Sequence, residues 1–227
     1  MSVSIDLEGR TALVTGASRG IGQAIALGLA RAGADVIGIG TAIESEDAGL
    51  GPAIAALGRR FTPLNCDLAD REAIRRLTER TDALGMPVDI LISNAGIIRR
   101  ADAAEHPEED WDDVMAVNLD AAFLLARAYG SRMVARRAGK IVFVASVLSY
   151  QGGLRVPGYA ASKGAIINLA RALANEWAAH GVNVNAVAPG FIETGNTAAL
   201  RADPARNAEL MARVPAGRWG APDDIVG

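Results

Sequence analysis

TGASRGIG at residues 15–22 joins a short apolar run to a helical pattern. Glycines allow the backbone to turn tightly and to approach a ligand closely. The start of the helix offers unpaired N–H groups and the positive end of its dipole, and both favour a bound phosphate. The stretch therefore predicts a strand, a turn and a helix that hold a dinucleotide. Its spacing differs from G-x-G-x-x-G, and a tight connection without a ligand is the alternative.

Short apolar runs alternate with helical patterns through the rest of the chain. Most runs lack polar alternation, which indicates burial on both faces and a parallel sheet with right-handed crossovers. Phe61–Leu64 is the weakest run, because it contains Pro63. The predicted strands are Ala12–Val14, Val36–Ile39, Phe61–Leu64, Ile90–Ile92, Ile141–Val144 and Val184–Val187.

The composition favours one α/β domain over residues 1–227. Apolar residues make up 50% of the chain and aromatics only 4%, so the core is built from Ala, Val, Ile and Leu. Glycines predict the ends of helices over Ile21–Ala32 and Asp70–Leu84. Between them, residues 41–58 are ambiguous and are expected to become helical only after Pro52.

Net charge and composition limit the kinds of partner that we expect for this chain. A net charge of −3 gives no general attraction to nucleic acid or to an anionic membrane. No signal sequence and no run of about 18 apolar residues is present, so we expect a cytoplasmic protein without a membrane partner. One cysteine, Cys66, and two histidines predict no internal disulfide and no metal site.

Tyr159 and Lys163 are four residues apart, with Ser146 upstream. Positions i and i+4 share a helix face, so the ammonium is expected to lie beside the phenol and to favour its ionised form. Free tyrosine has a pKa of about 10, so ionisation near neutrality needs roughly 4 kcal/mol of stabilisation. The pair predicts proton transfer. The alternative is a lysine whose stem packs beside a half-buried ring.

The turn, Asn94-Ala95-Gly96, Asn118, Ser146, Tyr159 and Lys163 together resemble the short-chain dehydrogenase/reductase family over nearly the whole chain. The resemblance implies a Rossmann-type doubly wound parallel sheet and an NAD(P)-dependent interconversion of a secondary alcohol and a ketone. It also implies a catalytic set of Asn118, Ser146, Tyr159 and Lys163. Tyr159 is then the acid or base, Ser146 binds the reacting oxygen, Lys163 also bonds the nicotinamide ribose, and Asn118 helps hold a water.

The same resemblance implies a cofactor site spread over several loops. Asp67 is also explained as a turn or helix-capping carboxylate, Asn94 as turn chemistry, and Asn118 as an interruption of the helical region Trp111–Arg137. The implied cofactor residues are Gly16, Ser18, Arg19, Gly20, Ile21, Gly22, Asp67, Leu68, Asn94, Ala95, Gly96, Tyr159, Lys163, Pro189, Gly190, Ile192 and Thr194.

The end of the second strand bears on the choice between NAD and NADP. An acid there bonds the ribose 2′-OH and repels a 2′-phosphate. This chain has Gly40 followed by the uncharged Thr41, while Arg19 in the glycine turn is able to pair with a 2′-phosphate. The sequence therefore favours NADP over NAD, with an ordinary surface arginine as the alternative for Arg19.

Several stretches resemble one subfamily, the 2-deoxy-D-gluconate 3-dehydrogenases, also described as 2-dehydro-3-deoxy-D-gluconate 5-dehydrogenases. They include Ile98-Arg99-Arg100, residues 110–114, residues 149–157, Asn175-Glu176-Trp177 and residues 215–220. A sugar acid calls for an arginine and polar groups near the reacting carbon. The candidate substrate residues are Ser146, Gln151, Arg155 and Arg99. The alternatives are a 3-oxoacyl-carrier-protein reductase-like enzyme and a non-catalytic NAD(P)-binding sensor.

Two further expectations follow from the resemblance. The sequence given ends at Gly227, where Pro222–Val226 begins a helical pattern, so the final helix and strand of the family pattern are expected to be missing. The Ala- and Leu-rich regions 118–137 and 159–179 are expected to contact sister subunits in a homotetramer, or in a dimer. Burial of these regions against their own sheet is the alternative.

Overall fold

The sheet is parallel and six-stranded, with strand order β3-β2-β1-β4-β5-β6 in the computed structural model. The structure describes residues 5–45 and 49–226. Each strand contains one of the predicted apolar runs, which confirms the α/β doubly wound prediction. The strands are β1 Thr11–Thr15, β2 Asp35–Gly40, β3 Phe61–Asn65, β4 Ile90–Ser93, β5 Gly139–Val144 and β6 Val182–Val187.

Helices connect successive strands. The α-helices are α1 Gly20–Arg31, α2 Leu50–Ala56, α3 Arg71–Ala83, α4 Glu108–Met115, α5 Ala121–Ala135, α6 Leu148–Gln151, α7 Pro157–Trp177, α8 Ala198–Ala202 and α9 Pro204–Met211. A π-helical segment, Ala116–Asp120, joins α4 to α5. Short 3-10 helices span Ala103–Glu105, Ala178–His180, Gly195–Thr197 and Pro222–Ile225.

The prediction for residues 41–58 was wrong about where the helix starts. Helix α2 begins at Leu50, two residues before Pro52. A proline is tolerated in the first turn of a helix, since the N–H that it lacks has no partner within the helix there. Residues 46–48 of this stretch lie outside the described residues.

Both faces of the central strands are buried, as the unbroken apolar runs indicate. In β1, Leu13 packs with α3, α5 and α7 side chains, whereas Ala12 and Val14 pack with those of α1 and α2. At the edge of the sheet, β6 buries only one face: Val182 and Val184 are buried, and the intervening Asn183 is exposed. Each side chain points to the face opposite its neighbours, so the core forms two layers around the sheet.

The strand order places a crevice at the carboxyl ends of β1 and β4. The chain runs outward from β1 through β2 to β3 and returns to pair β4 with the other side of β1. Ligands of open α/β sheets bind at such a switch point. Among the described residues, no helix is long and apolar enough to cross a membrane. In the same ranges, no group of three or more His, Cys, Asp or Glu side chains is placed to hold a metal ion.

Candidate active site

A cavity of about 890 Å³ opens at this switch point. Most of the residues predicted for the cofactor and substrate line it, although they come from loops far apart in sequence. Those that do are Gly16, Ser18, Arg19, Gly20, Ile21, Asp67, Leu68, Asn94, Ala95, Gly96, Arg99, Ser146, Tyr159, Lys163, Pro189, Gly190, Ile192 and Thr194. Four predicted residues are not in the lining: Gly22, Asn118, Gln151 and Arg155.

Gly22 shapes the cavity from behind the glycine turn. A Cβ atom at this position lies 2.5 Å from Asn94 Nδ2 and even closer to the Gly16 carbonyl oxygen, so no side chain fits. Gly16 itself has φ +66°, a left-handed conformation that favours glycine. The close approach of the first helical turn to Gly16 therefore depends on a glycine at position 22.

Asn94 fastens the turn to the loop that follows β4. Its Nδ2 donates to the carbonyl oxygens of Thr15 at 2.9 Å and Gly16 at 3.3 Å. The Thr15 hydroxyl accepts the backbone N–H groups of Asn94 and Ala95, each at 3.0 Å. These bonds tie the carboxyl ends of β1 and β4 together, which agrees with the turn-chemistry interpretation of Asn94 while leaving it in the cavity wall.

The amino end of α1 is open to an anion. No side chain caps it, and its first turn contains no acidic residue. Gly20 and Ile21 of this turn line the cavity beside the exposed Arg19. Uncapped N–H groups together with a nearby guanidinium are suited to a phosphate.

Another part of the cavity wall is formed by residues at and beyond the carboxyl ends of β2 and β3. Gly40, Thr41, Cys66, Asp67 and Leu68 line it. Asp67 Oδ1 accepts the N–H of Ala69 at 2.9 Å, so the turn interpretation of this carboxylate is correct, whereas α3 is capped by Asp70. Cys66 is buried, and burial raises the pKa of its thiol to about 11.

Asn118 lies in the π-helical segment and is 2% exposed. Its Oδ1 accepts the N–H of Ile97 at 2.8 Å, and its Nδ2 donates to Ile97 O at 3.0 Å and to Ser162 Oγ at 3.1 Å. A π-bulge of this kind is frequent at functional sites. Asn118 thus interrupts the helical region, as the alternative interpretation held, and it fixes the loop after β4.

Ser146, Tyr159 and Lys163 face the same part of the cavity. Ser146 follows β5 and its Oγ accepts the N–H of Leu148 at 3.1 Å. Tyr159 and Lys163 project from α7, and Lys163 Nζ lies 5.8 Å from the centre of the Tyr159 ring. Lys163 as a residue is 4% exposed, and its ammonium donates to Val144 O at 2.7 Å.

The expectation that Lys163 favours an ionised Tyr159 was wrong for this arrangement. Burial raises the pKa of Tyr159, opposed by a hydrogen bond from Ser146 and by the charge of Arg100. Burial also lowers the pKa of Lys163 to about 8. Desolvation disfavours both charged forms, and Lys163 is turned towards a backbone carbonyl rather than the phenol. Of the cations near Tyr159, Arg100 is the one that lowers its pKa.

The candidate substrate residues separate into two groups. Arg99 lines the cavity and pairs with Asp110 at 3.2 Å and Asp113 at 3.3 Å. Arg155 pairs with Asp102 at 3.0 Å, and its side chain is 62% exposed. The structure therefore places Arg99 in the lining of the same cavity as Ser146 and Tyr159, but it places Arg155 and Gln151 outside that lining.

The loop after β6 closes one side of the cavity. Its conformation is fixed by Thr197, whose hydroxyl donates to Ile192 O at 2.8 Å and accepts the N–H of Thr194 at 3.1 Å. Arg201 also lines the cavity and donates to Thr194 O at 3.4 Å. Pro189, Gly190, Ile192 and Thr194 are thus held as one wall.

Sequence reasoning missed several residues of the lining. Asp113 lies within residues 110–114, which resemble the subfamily, and Cys66 directly precedes the predicted cofactor residue Asp67. For these two residues, a position within or beside a motif is the signal that could have indicated the cavity. Arg201 carried no motif signal, because α8 follows the predicted loop without a recognisable pattern. The missed residues are Cys66, Ala69, Ile97, Asp113, Val117, Val144, Ala145, Glu193, Gly195, Asn196, Thr197, Arg201 and Pro222.

The glycine turn, Ser146, Tyr159 and Lys163 line one cavity, and Asn118 is bonded to Ile97 in the same lining. This architecture is that of a nicotinamide-dependent oxidoreductase. Residues 10–205 match the family described as short chain dehydrogenase, and this chain belongs to it.

Individual relatives are similar over almost the whole chain. A 2-dehydro-3-deoxy-D-gluconate 5-dehydrogenase of Pseudoalteromonas atlantica is 53% identical over 227 residues, which are all of this chain and 89% of the relative. A crystal structure from Agrobacterium tumefaciens, provisionally called a 2-deoxy-D-gluconate 3-dehydrogenase and solved with NADP, is 50% identical with a TM-score of 0.91, covering 100% of this chain and 89% of that one. A gluconate 5-dehydrogenase from Burkholderia cenocepacia, solved with NADP and tartrate, is 38% identical with a TM-score of 0.93, covering 99% and 88%.

Proposed function

We propose that residues 1–227 form a single nucleotide-binding domain with an integral substrate site, and that it is an NADP-dependent oxidoreductase acting on a deoxy sugar acid. The reaction interconverts a secondary alcohol and a ketone, as the name 2-dehydro-3-deoxy-D-gluconate 5-dehydrogenase describes for a relative. The observation that carries the proposal is that Ser146, Tyr159 and Lys163 line one cavity with the open amino end of α1.

The cavity fits a phosphorylated dinucleotide. Gly16 and Gly22 leave room at the turn, and α1 presents uncapped N–H groups. At the ribose end, Gly40 and Thr41 are uncharged, and Arg19 has no carboxylate partner among the described residues. Asp67 also lines this part of the cavity, but its carboxylate accepts the N–H of Ala69. A cation without a carboxylate partner supports a 2′-phosphate and therefore NADP rather than NAD.

A bound nicotinamide accepts or supplies the hydride, and the protein provides proton transfer and orientation. Tyr159 is the acid or base at the substrate oxygen, and its raised pKa keeps the phenol protonated, which suits proton donation to a carbonyl. The Ser146 hydroxyl donates a hydrogen bond to the same oxygen as negative charge develops there. Lys163 supplies positive charge at the cavity floor, and Asn118 holds the loop after β4.

The substrate carboxylate is proposed to bind near Arg99 and Arg100. Arg99 is shared between Asp110 and Asp113, which leaves it little free charge. Arg100 is not itself in the lining, but it donates at 2.9 Å to the carbonyl oxygen of Asn196, which is, and within the described ranges it has no acidic partner. Its charge acts on Tyr159, so a carboxylate held by Arg100 lies close to the reacting groups.

A homotetramer and a cytoplasmic location complete the proposal. Two large apolar side chains, Trp111 on α4 and Phe123 on α5, are 40% and 41% exposed. Exposed aromatic residues on adjoining helices support a contact between subunits. Sedimentation of the purified protein tests the assembly: a tetramer is expected, and a monomer contradicts it.

A coenzyme absorbance assay tests the activity. The purified chain is given NADPH or NADH with deoxy-keto sugar acids, with an uncharged ketone of similar length, and with an acetoacetyl thioester. We expect turnover with the sugar acids and NADPH. Faster turnover of the thioester favours the 3-oxoacyl reductase alternative, and coenzyme binding without turnover favours the sensor.

Matched variants test the carboxylate site. Arg100→Met is expected to raise the KM for sugar acids and to leave the KM for the uncharged ketone unchanged. Arg155→Met serves as the control, because Arg155 is held in a salt bridge to Asp102, whereas it is the charge of Arg100 that acts on Tyr159. Equal effects of Arg100→Met on both substrates contradict its role.

A further inference from the structure

An acidic residue follows β2 but is turned away from the cavity. Glu44 lies four residues after Gly40 and is not in the lining, whereas Gly40 and Thr41 are. In dinucleotide-binding folds, an acid about 20 residues beyond the glycine turn bonds the ribose 2′-OH. Glu44 stands at about that distance along the chain from Gly22. Its carboxylate is nevertheless held away from the cavity.

Two residues hold Glu44, and we call the three together the Glu44 clamp. Glu44 Oε1 accepts the N–H of Asn65 at 3.0 Å and Oε2 accepts Asn65 Nδ2 at 3.2 Å. Asn65 Oδ1 in turn accepts the N–H of Glu44 at 3.0 Å. Arg80 of α3 donates to Glu44 Oε1 at 2.7 Å. Both carboxylate oxygens and the backbone N–H of Glu44 are therefore engaged.

The clamp lies beside the cavity rather than far from it. Asn65 is the register partner of Gly40 in the sheet, and neighbouring strands are about 4.8 Å apart. The next residue, Cys66, donates its N–H to Gly40 O at 2.9 Å and lines the cavity. The Glu44 side chain is thus bonded to a residue that adjoins the cavity wall, and release from Asn65 and Arg80 would allow it to turn towards that wall.

Packing beneath the loop leaves little space for a side chain at position 40. A Cβ atom at Gly40 lies 3.2 Å from Cβ of the fully buried Ile43 and 3.6 Å from Ser18 Oγ. Ile43 anchors the loop, and Glu44 follows it directly. The loop therefore has one anchored apolar residue and one clamped acid, and it presents only uncharged groups to the cavity.

We propose that the Glu44 clamp is a positioning device for coenzyme selection: Asn65 and Arg80 withhold the Glu44 carboxylate from the ribose site, so that a 2′-phosphate meets Arg19 without the added negative charge of Glu44. The inference rests on the proposed use of NADP. A carboxylate beside a phosphate raises the free energy of binding, whereas beside a 2′-hydroxyl it is able to accept a hydrogen bond.

Release of the carboxylate tests the proposal. Asn65→Ala with Arg80→Met frees Glu44, and calorimetry measures Kd for NADP, NAD, 2′,5′-ADP and 5′-AMP. We expect the preference for NADP over NAD to fall about tenfold, which corresponds to about 1.4 kcal/mol. The preference for 2′,5′-ADP over 5′-AMP is expected to fall equally. Adding Glu44→Gln to the double variant removes the charge and is expected to restore both preferences.

The chain offers a matched control. Arg60 pairs with Asp35 at 3.1 Å and joins the same two strands at their opposite ends. Arg60→Ala removes a salt bridge of similar exposure, and we expect it to leave both preferences unchanged. If the double variant does not unfold cooperatively, Arg80→Met alone is used, because it keeps the Asn65 hydrogen bonds, and a smaller shift in the same direction is expected.

The outcomes separate the two proposals. An unchanged preference in the released variant, or an equal loss when Glu44→Gln is added, overturns the positioning role. A wild-type protein that binds 5′-AMP as tightly as 2′,5′-ADP instead contradicts the proposed use of NADP.

Discussion

The two ends of the cavity differ in how their charged groups meet water. At the inner end, Lys163 is 4% exposed, and desolvation lowers the pKa of its ammonium. Beside the outer end, the Glu44 and Arg80 side chains are 40% and 47% exposed, and hydrogen bonds led by the Asn65 N–H lower the pKa of Glu44. Burial therefore disfavours the positive charge of Lys163, whereas hydrogen bonds favour the negative charge of Glu44.

The difference in burial suits the two sets of charged groups to different proposed roles, proton transfer at Lys163 and coenzyme selection at Glu44. A buried charge has a large interaction energy and a protonation state that is easily shifted, which suits a proton-transfer site. An exposed pair contributes little to stability, since water screens it, but it is able to fix which side chain faces a ligand. Changes at the inner end should therefore have larger effects than changes at the outer end.

The largest effect is expected from Tyr159→Phe. The substitution removes the phenolic hydroxyl, and with it the proton to be transferred, but it keeps the ring, so coenzyme affinity should change little. Turnover should fall about a hundred- to ten-thousand-fold, the range for loss of general acid–base catalysis. Stopped-flow coenzyme absorbance measures it. Tyr150→Phe is the control, because Tyr150 is 66% exposed and outside the cavity lining, and near-normal turnover of Tyr159→Phe contradicts the assignment.

The next effect is on stability and depends on pH. The pKa of Lys163 falls from 10.5 to about 8 on folding, so above pH 8 the unfolded state binds more protons and stability rises with pH up to about 10.5. Below pH 8 the burial cost is fully present. We expect Lys163→Met to be about 3 kcal/mol more stable than wild type at pH 7, a difference that disappears by about pH 10.5.

Urea unfolding at several pH values measures this difference. Lys140→Met is the control, because Lys140 is the only other lysine in the sequence and is exposed. Since tyrosine and cysteine groups titrate in both proteins, their contributions cancel in the comparison. A difference between wild type and Lys163→Met that stays constant from pH 7 to pH 10.5 argues against a desolvated ammonium.

The parts that sequence predicts are those in which one local pattern decides the structure. Unbroken apolar runs such as Ala12–Val14 are typical of strands that are buried on both faces of a parallel sheet. Such a run therefore predicts a strand without any knowledge of its neighbours. The glycine turn is likewise local, because Gly16 needs a left-handed conformation and Gly22 needs space. The remaining site residues are predicted from the family resemblance, because each lies in a motif that matches the family in the same order along the chain.

The parts that sequence does not predict depend on partners distant in the chain. The π-helical segment is accompanied by hydrogen bonds from Asn118 to Ile97, 21 residues earlier. Arg155 carries the same charge as Arg99, yet Asp102 holds it outside the cavity lining. The spacing of Tyr159 and Lys163 shows that they share a helix face, but it does not show that both are desolvated. Burial, rather than distance alone, decides the direction of their pKa shifts.

A smaller effect is expected between the two ends, at the glycine turn. Gly22→Ala forces the turn away from α1, because the new Cβ lies too close to Gly16 O and Asn94 Nδ2. We expect a loss of about 1–3 kcal/mol in the free energy of unfolding, together with weaker coenzyme binding. Thermal unfolding with and without NADP measures both. Gly164→Ala in α7 is the control, since its Cβ has only an ordinary contact, 3.8 Å from Ser149 O, and unchanged stability of Gly22→Ala contradicts the packing argument.

The smallest effect is expected from Arg19→Met, because this guanidinium is exposed and water screens it. Loss of one charge-assisted hydrogen bond to a phosphate should weaken 2′,5′-ADP about tenfold and leave 5′-AMP almost unchanged. Arg31→Met, at the other end of α1, controls for the loss of one positive charge from the same helix. Calorimetry at low and high salt sharpens the comparison: the Arg19 effect should shrink as salt rises, whereas the Tyr159→Phe loss should not. An equal loss of affinity for 5′-AMP would assign Arg19 to the diphosphate rather than to the 2′ position.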